Sequence, residues 1–135
     1  MGILIDTSVL VHYERQSTDP TTALASATGT FVSVVTASEL LHGAWRDPDP
    51  RRRHRRFAIT EAVLDWAKVV EIDLSVARLH AEITAELASR GLRIGINDSW
   101  IAATCVEHRL ALMTANVREF GRVPGLVLQP MPPES

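Results

Sequence analysis

Short apolar, β-branched runs alternate with helical stretches along most of the chain, and that alternation leaves few folds open. Residues 3–5 (ILI), 30–35 (TFVSVV), 69–73 (VVEID) and 111–115 (ALMTA) read as strands, and the run 125–130 (GLVLQP) leads into a proline-rich tail. Helical segments fall at 8–16, 21–28, 36–46, about 51–67 and 75–91. The clearest is 75–91: Val76, Leu79, Ile83 and Leu87 keep helical spacing, Ser75 is placed to cap it and Gly91 to end it. Strands separated by helices imply a parallel, or mostly parallel, α/β sheet.

No repeat and no linker divides the 135 residues, so residues 1–135 are expected to form one domain, long enough to bury a sizeable core. No apolar run approaches a membrane span, and the N-terminal residues lack the basic start and cleavage site of a signal peptide. The one cysteine, Cys105, cannot form an internal disulfide, which fits a reducing cytoplasm.

The stretch 95–108 (GINDSWIAATCVEH) raises a chemical question. It reads as a turn entering a helix that is apolar on almost every face, hence buried. Asp98 stands at its mouth, with no lysine or arginine from Gly95 to Val106 to neutralise it. Helix capping explains this as readily as catalysis does, with either Asn97 or Asp98 as the cap.

Position in the sheet narrows the choice. In parallel α/β sheets ligands bind beyond the carboxyl ends of the strands. Asp6 ends the first strand, Glu39 follows the second by four residues, Asn116 follows the fourth, and Asp98 opens the helix leading into it. Each has a structural alternative: Asp6-Thr7-Ser8 can cap a helix, and Thr36 to Glu39 matches a capping box. Carboxylates brought together repel, however, by roughly 4 kcal/mol per pair at 4 Å and an effective dielectric near 20. Without basic partners they need raised pKa values or a cation. The single lysine, Lys68, precedes the third strand and is poorly placed to help. Oxygen-only ligands select hard ions, so Mg²⁺ or Mn²⁺ is the expected cofactor.

Other chemistries leave little trace. There is no G-x-G-x-x-G, no G-K-[ST] loop, no G-x-S-x-G elbow and no HExxH spacing. A phospho-acceptor receiver domain wants a lysine near its later strands, where this chain has none.

Four segments, ILIDTSVLV, VVTASELLHG, INDSWIAAT and LMTANVREF, resemble in order the successive motifs of the PIN domain, across nearly the whole chain. They are most similar to the VapC-type toxins of bacterial toxin–antitoxin pairs. The resemblance implies a three-layer α/β/α sandwich, a metal-dependent endoribonuclease, a small antitoxin in the active-site groove and a homodimer. It places Asp6, Glu39 and Asp98 as the acidic triad, with Asp6 and Asp98 on the metal and Asn116 at a fourth position often held by Asp. Glu119 matches a more variable acidic position. Thr7, Ser8, Asn97 and Thr114 are neighbours able to orient carboxylates or waters. A non-catalytic PIN-like scaffold that binds RNA or protein is the other reading.

The run RRRHRR (51–56) stands apart. From Arg46 to Arg56 six arginines face Asp47 and Asp49, a local +4 in a chain whose total is −2. It is either a solvated helix face or a phosphate grip, with Arg51, Arg52 and Arg53 as the RNA contacts.

Overall fold

The computed structural model describes residues 1–25 and 29–132. Five strands form one sheet: β1 (Ile3–Ile5), β2 (Thr30–Ser33), β3 (Lys68–Val70), β4 (Ala111–Met113) and β5 (Leu128–Gln129). Their order is β3-β2-β1-β4-β5, and every pairing is parallel. Helices carry the crossovers: α1 (Thr7–Arg15) and α2 (Pro20–Ala23) after β1, α3 (Val34–Arg46) and α4 (Pro50–Trp66) after β2. α5 (Leu74–Ser89) and α6 (Ile96–His108) lead from β3 to β4, and α7 (Val117–Phe120) leads from β4 to β5.

Successive strand residues point to opposite faces, so the strands supply two cores. Leu4 and Leu112 join Val76, Ile83, Leu87 and Ile101 of α5 and α6 on one side. Ile5 and Met113 join Val9, Leu10 and Tyr13 of α1 and Val63 of α4 on the other. The result is the expected three-layer sandwich with a wholly parallel sheet. Among the described residues no helix is long and apolar enough to cross a membrane.

Several local expectations change. The second strand stops at Ser33 because that residue caps α3, accepting from the Val35 N–H at 3.1 Å; Val34 and Val35 are helical despite their β-branching. Thr36 therefore lies inside α3, and its buried hydroxyl has no partner, so there is no capping box with Glu39. Asp73, not Ser75, caps α5. The third strand is shorter than 69–73, and the helix expected at 21–28 is the single turn of α2, with 26–28 outside the described residues.

The strand order decides where a ligand can sit. The chain moves outward from β1 through β2 to β3, then returns to lay β4 on the other side of β1. Crevices open at such a reversal, beyond the carboxyl ends of the two strands that flank it. Here those ends are Asp6 and Thr114.

Candidate active site

Asp6 is fixed first. Its Oδ1 caps α1, accepting from the Ser8 N–H at 3.0 Å, the Ser8 hydroxyl and the Val9 N–H at 3.4 Å. Its Oδ2 accepts from the Thr114 hydroxyl at 2.6 Å, which ties the ends of β1 and β4 together. The Ala115 N–H donates to Ser8 Oγ and the Asn116 N–H to Thr114 Oγ1, both at 3.0 Å. Asp6 is thus both the helix cap and a buried carboxylate at the reversal point.

Glu39 lies on α3, two turns past the end of β2, and Thr7 Oγ1 donates to its Oε1 at 2.8 Å. A residue free of the α3 cap is thereby held against the start of α1, 32 positions away.

Asp98 is not a cap. The N-cap of α6 is Gly95, no side chain caps that helix, and Asp98 is its third residue. Glu119 does part of a cap's work from outside: the Gly95 N–H donates to its Oε1 at 2.7 Å, while Asn116 Nδ2 donates to its Oε2 at 3.0 Å. A Cβ on Gly95 would stand 3.7 Å from Asp98 Oδ2 and 3.8 Å from Glu119 Oε1, so the two carboxylates meet over this backbone position. The Gly95 N–H and the Asn116 amide hold the Glu119 carboxyl below its usual range.

Burial first, then the charges of Glu119, Asp6 and Glu39, push the Asp98 carboxyl up to about 6. Asp98 on α6 therefore feels three acids brought in from the β1–α1 junction, α3 and α7. Among the described residues no lysine or arginine forms an ion pair with any of the four, and Arg122 acts on Glu119 only as a weaker, longer-range attraction. Asn97 is exposed on α6, and Asn116 is half-buried beside Glu119.

The donor set is all oxygen, which suits a hard cation. Among the described residues no three His, Cys, Asp or Glu side chains stand converged as ligands of one ion. Most carboxylate oxygens of Asp6, Glu39 and Glu119 are already turned toward hydroxyl or amide donors. That arrangement fits an ion such as Mg²⁺, which keeps several waters and takes only one or two carboxylates from the protein.

The basic run divides on inspection. Arg52 Nε meets the buried Asp47 carboxylate at 2.5 Å, Arg53 Nε donates to the Asp47 carbonyl at 3.1 Å, and Arg56 Nη1 donates to the Gly43 carbonyl at 3.0 Å. Arg56 also pairs with Glu14 at 3.2 Å. These three arginines lock the α3–α4 corner; Arg51 and Arg55 are exposed, as Arg52 is apart from its contact with Asp47. The hydrogen bond from Arg52 is the main reason the Asp47 carboxyl falls to about 2. A depressed carboxyl stabilises the fold above its unfolded value, near 3.9, and that support is lost as pH falls toward 2. Asp47→Asn should therefore flatten the decline of Tm between about pH 4 and 2. An unchanged acid limb would mean that the corner does not depend on this charge.

Beside that corner lies a cleft of about 650 Å³ between α1–α2 and α4, floored by Leu10, Leu40, Ile59 and Val63 and rimmed by Arg52, Arg55 and Glu14. Sequence reasoning did not find it, because its walls come from four separate helices.

The PIN domain model matches residues 3–126, and the chain belongs to the PIN domain family. Among its relatives, ribonuclease VapC1 of Rickettsia felis is 30% identical over 126 residues, spanning 93% of each chain. The DNA-bound VapBC of Salmonella typhimurium has a TM-score of 0.85 at 25% identity, covering 98% of this chain and 99% of that one. VapBC-5 of Mycobacterium tuberculosis, a member of the VapBC family of toxin-antitoxin systems, has a TM-score of 0.73 at 30% identity over 96% of each chain.

Proposed function

We propose that this chain is a divalent-metal-dependent endoribonuclease, working in the cytoplasm as the toxin of a toxin–antitoxin pair. The observation that carries the reading is Asp98, pushed up to about 6 by burial and by three other acids, with no lysine or arginine in an ion pair with any of the four among the described residues. Such a cluster is costly unless a cation belongs there. The VapC name of its relative supports RNA as substrate.

Asp6 and Asp98 would hold the metal, Mg²⁺ or Mn²⁺, with Glu39 and the Asn116 amide oxygen completing the site. When bound, a divalent ion supplies a water of lowered pKa and a counter-charge for the attacked phosphate. The chain's own part is positional. Thr114 and Ser8 hold the Asp6 oxygens, Thr7 holds Glu39, and the Gly95 N–H and Asn116 hold Glu119. Arg51, with Arg55, is the phosphate grip; Arg52 and Arg53 are committed to Asp47. The arginine-rimmed apolar cleft is where an antitoxin segment would lie. Exposed Val34 and Trp45 on α3 suit a homodimer contact.

Metal-stripped protein should cleave labelled RNA at least about 100-fold more slowly than protein given Mn²⁺ or Mg²⁺. RNA that is bound but left intact at every metal concentration would instead favour a non-catalytic PIN-like scaffold.

A further inference from the structure

α6 begins without a side-chain cap, yet its first turn carries Asp98. Glu119 secures one edge of that turn through the Gly95 N–H. The opposite edge is secured from α5. His80 Nε2 lies 2.8 Å from Ser99 Oγ, and the His80 ring stacks on Trp100 with centroids 3.6 Å apart and planes 6° from parallel. Ser99 is buried, and its hydroxyl donates to the Ile96 carbonyl at 2.7 Å, so its oxygen is left to accept from His80 Nε2–H. One imidazole thus grips the two residues that directly follow Asp98, and through Ser99 the first carbonyl of the helix.

We propose that His80 is a positioning residue for Asp98, fixing the rotation of α6 about its own axis through Ser99 and Trp100. The role rests on the metal-site reading above. The leverage is geometric. A side-chain oxygen lies roughly 5–6 Å from a helix axis, so a 20° rotation moves it by about 2 Å. Metal–ligand distances tolerate only about 0.2 Å. A stack alone would resist tilting of Trp100 but would let the turn slide; the hydrogen bond to Ser99 adds the second point that stops rotation.

Three variants separate this role from plain packing. His80→Phe keeps a flat ring against Trp100 and loses the donor. Ser99→Ala loses the acceptor. His80→Gln keeps an amide N–H near the place of Nε2. The readouts are the Mn²⁺ dissociation constant of the full chain by calorimetry and amide hydrogen exchange without metal at residues 99–102, the first amides of α6 that are hydrogen-bonded within the helix. His80→Phe and Ser99→Ala are each expected to weaken Mn²⁺ binding about tenfold. The double variant should be no weaker than either alone, because both remove one contact. His80→Gln should recover most of the loss, and exchange at 99–102 should quicken in the first two variants only. Wild-type Mn²⁺ affinity in both His80→Phe and Ser99→Ala, with only Tm lowered, overturns the role and leaves ordinary packing. A wild type that binds no Mn²⁺ removes the metal reading, and this role with it.

Discussion

Asp98→Asn is expected to lower RNA cleavage by on the order of 10³-fold or more, about 4 kcal/mol of transition-state stabilisation, while the chain stays folded. The substitution keeps size and removes one charge where the cation is proposed to sit. Its effect on stability should run the other way. The Asp98 carboxyl titrates near 6 in the folded protein, above its ordinary 3.8. The folded state therefore holds that proton more tightly than the unfolded chain does. Stability from this group falls as pH rises from about 4 to about 6, and the cost is complete above that window. At pH 7 without metal, Asp98→Asn should be the more stable protein, by about 1 kcal/mol once solvent screening of this half-exposed group is allowed for. That corresponds to a Tm higher by roughly 2–4 °C, a gain that disappears near pH 4. The rise in Tm that Mn²⁺ gives the wild type by binding the folded state should shrink in the variant. Unimpaired cleavage with an undiminished metal shift would remove Asp98 from the site.

Phe120→Ala should produce the largest loss of stability. Phe120 is fully buried in the core beneath α5 and α6, yet it belongs to α7, a helix of only four residues. A helix that short does not hold itself together, so its anchor is tertiary. Truncating a buried phenylalanine costs about 3–5 kcal/mol, which lowers Tm by roughly 10–15 °C here. The same change releases the segment bearing Asn116 and Glu119, and with it the Gly95 contact at the entrance of α6. Cleavage measured well below the lowered Tm should fall as well. A variant that loses Tm but retains full cleavage would show that the 116–119 segment is held by its own hydrogen bonds.

The layers and the acids were legible in the sequence because both rest on local pattern. Alternating strands and helices require crossovers, and strand ends locate Asp6, Glu39 and Asn116 without any coordinates. What escaped is non-local or contrary to propensity. Val34 and Val35 read as strand, but the Ser33 cap outweighs their β-branching. α7 carries no periodic signal, because Phe120 is its one buried residue. Arg52 and Arg53 looked alike with Arg51 in a basic run, yet the buried Asp47 three residues before α4 separates their tasks. His80 and Ser99 lie 19 positions apart on different helices, and nothing in either segment announces the other.

The central place of β1 has a consequence for how the protein is made. Ile3 pairs with Thr30 on one side and with Ala111 on the other, so the first strand waits for nearly the last to complete its surroundings. Thr114, the partner of Asp6, is 108 positions downstream. At roughly 5–20 residues per second, a growing chain spends on the order of 5–20 s with Asp6 synthesised and its counterpart absent. The Asp6 end of the crevice can therefore close only after the fourth strand has been made, so the site is among the last parts of the fold to assemble.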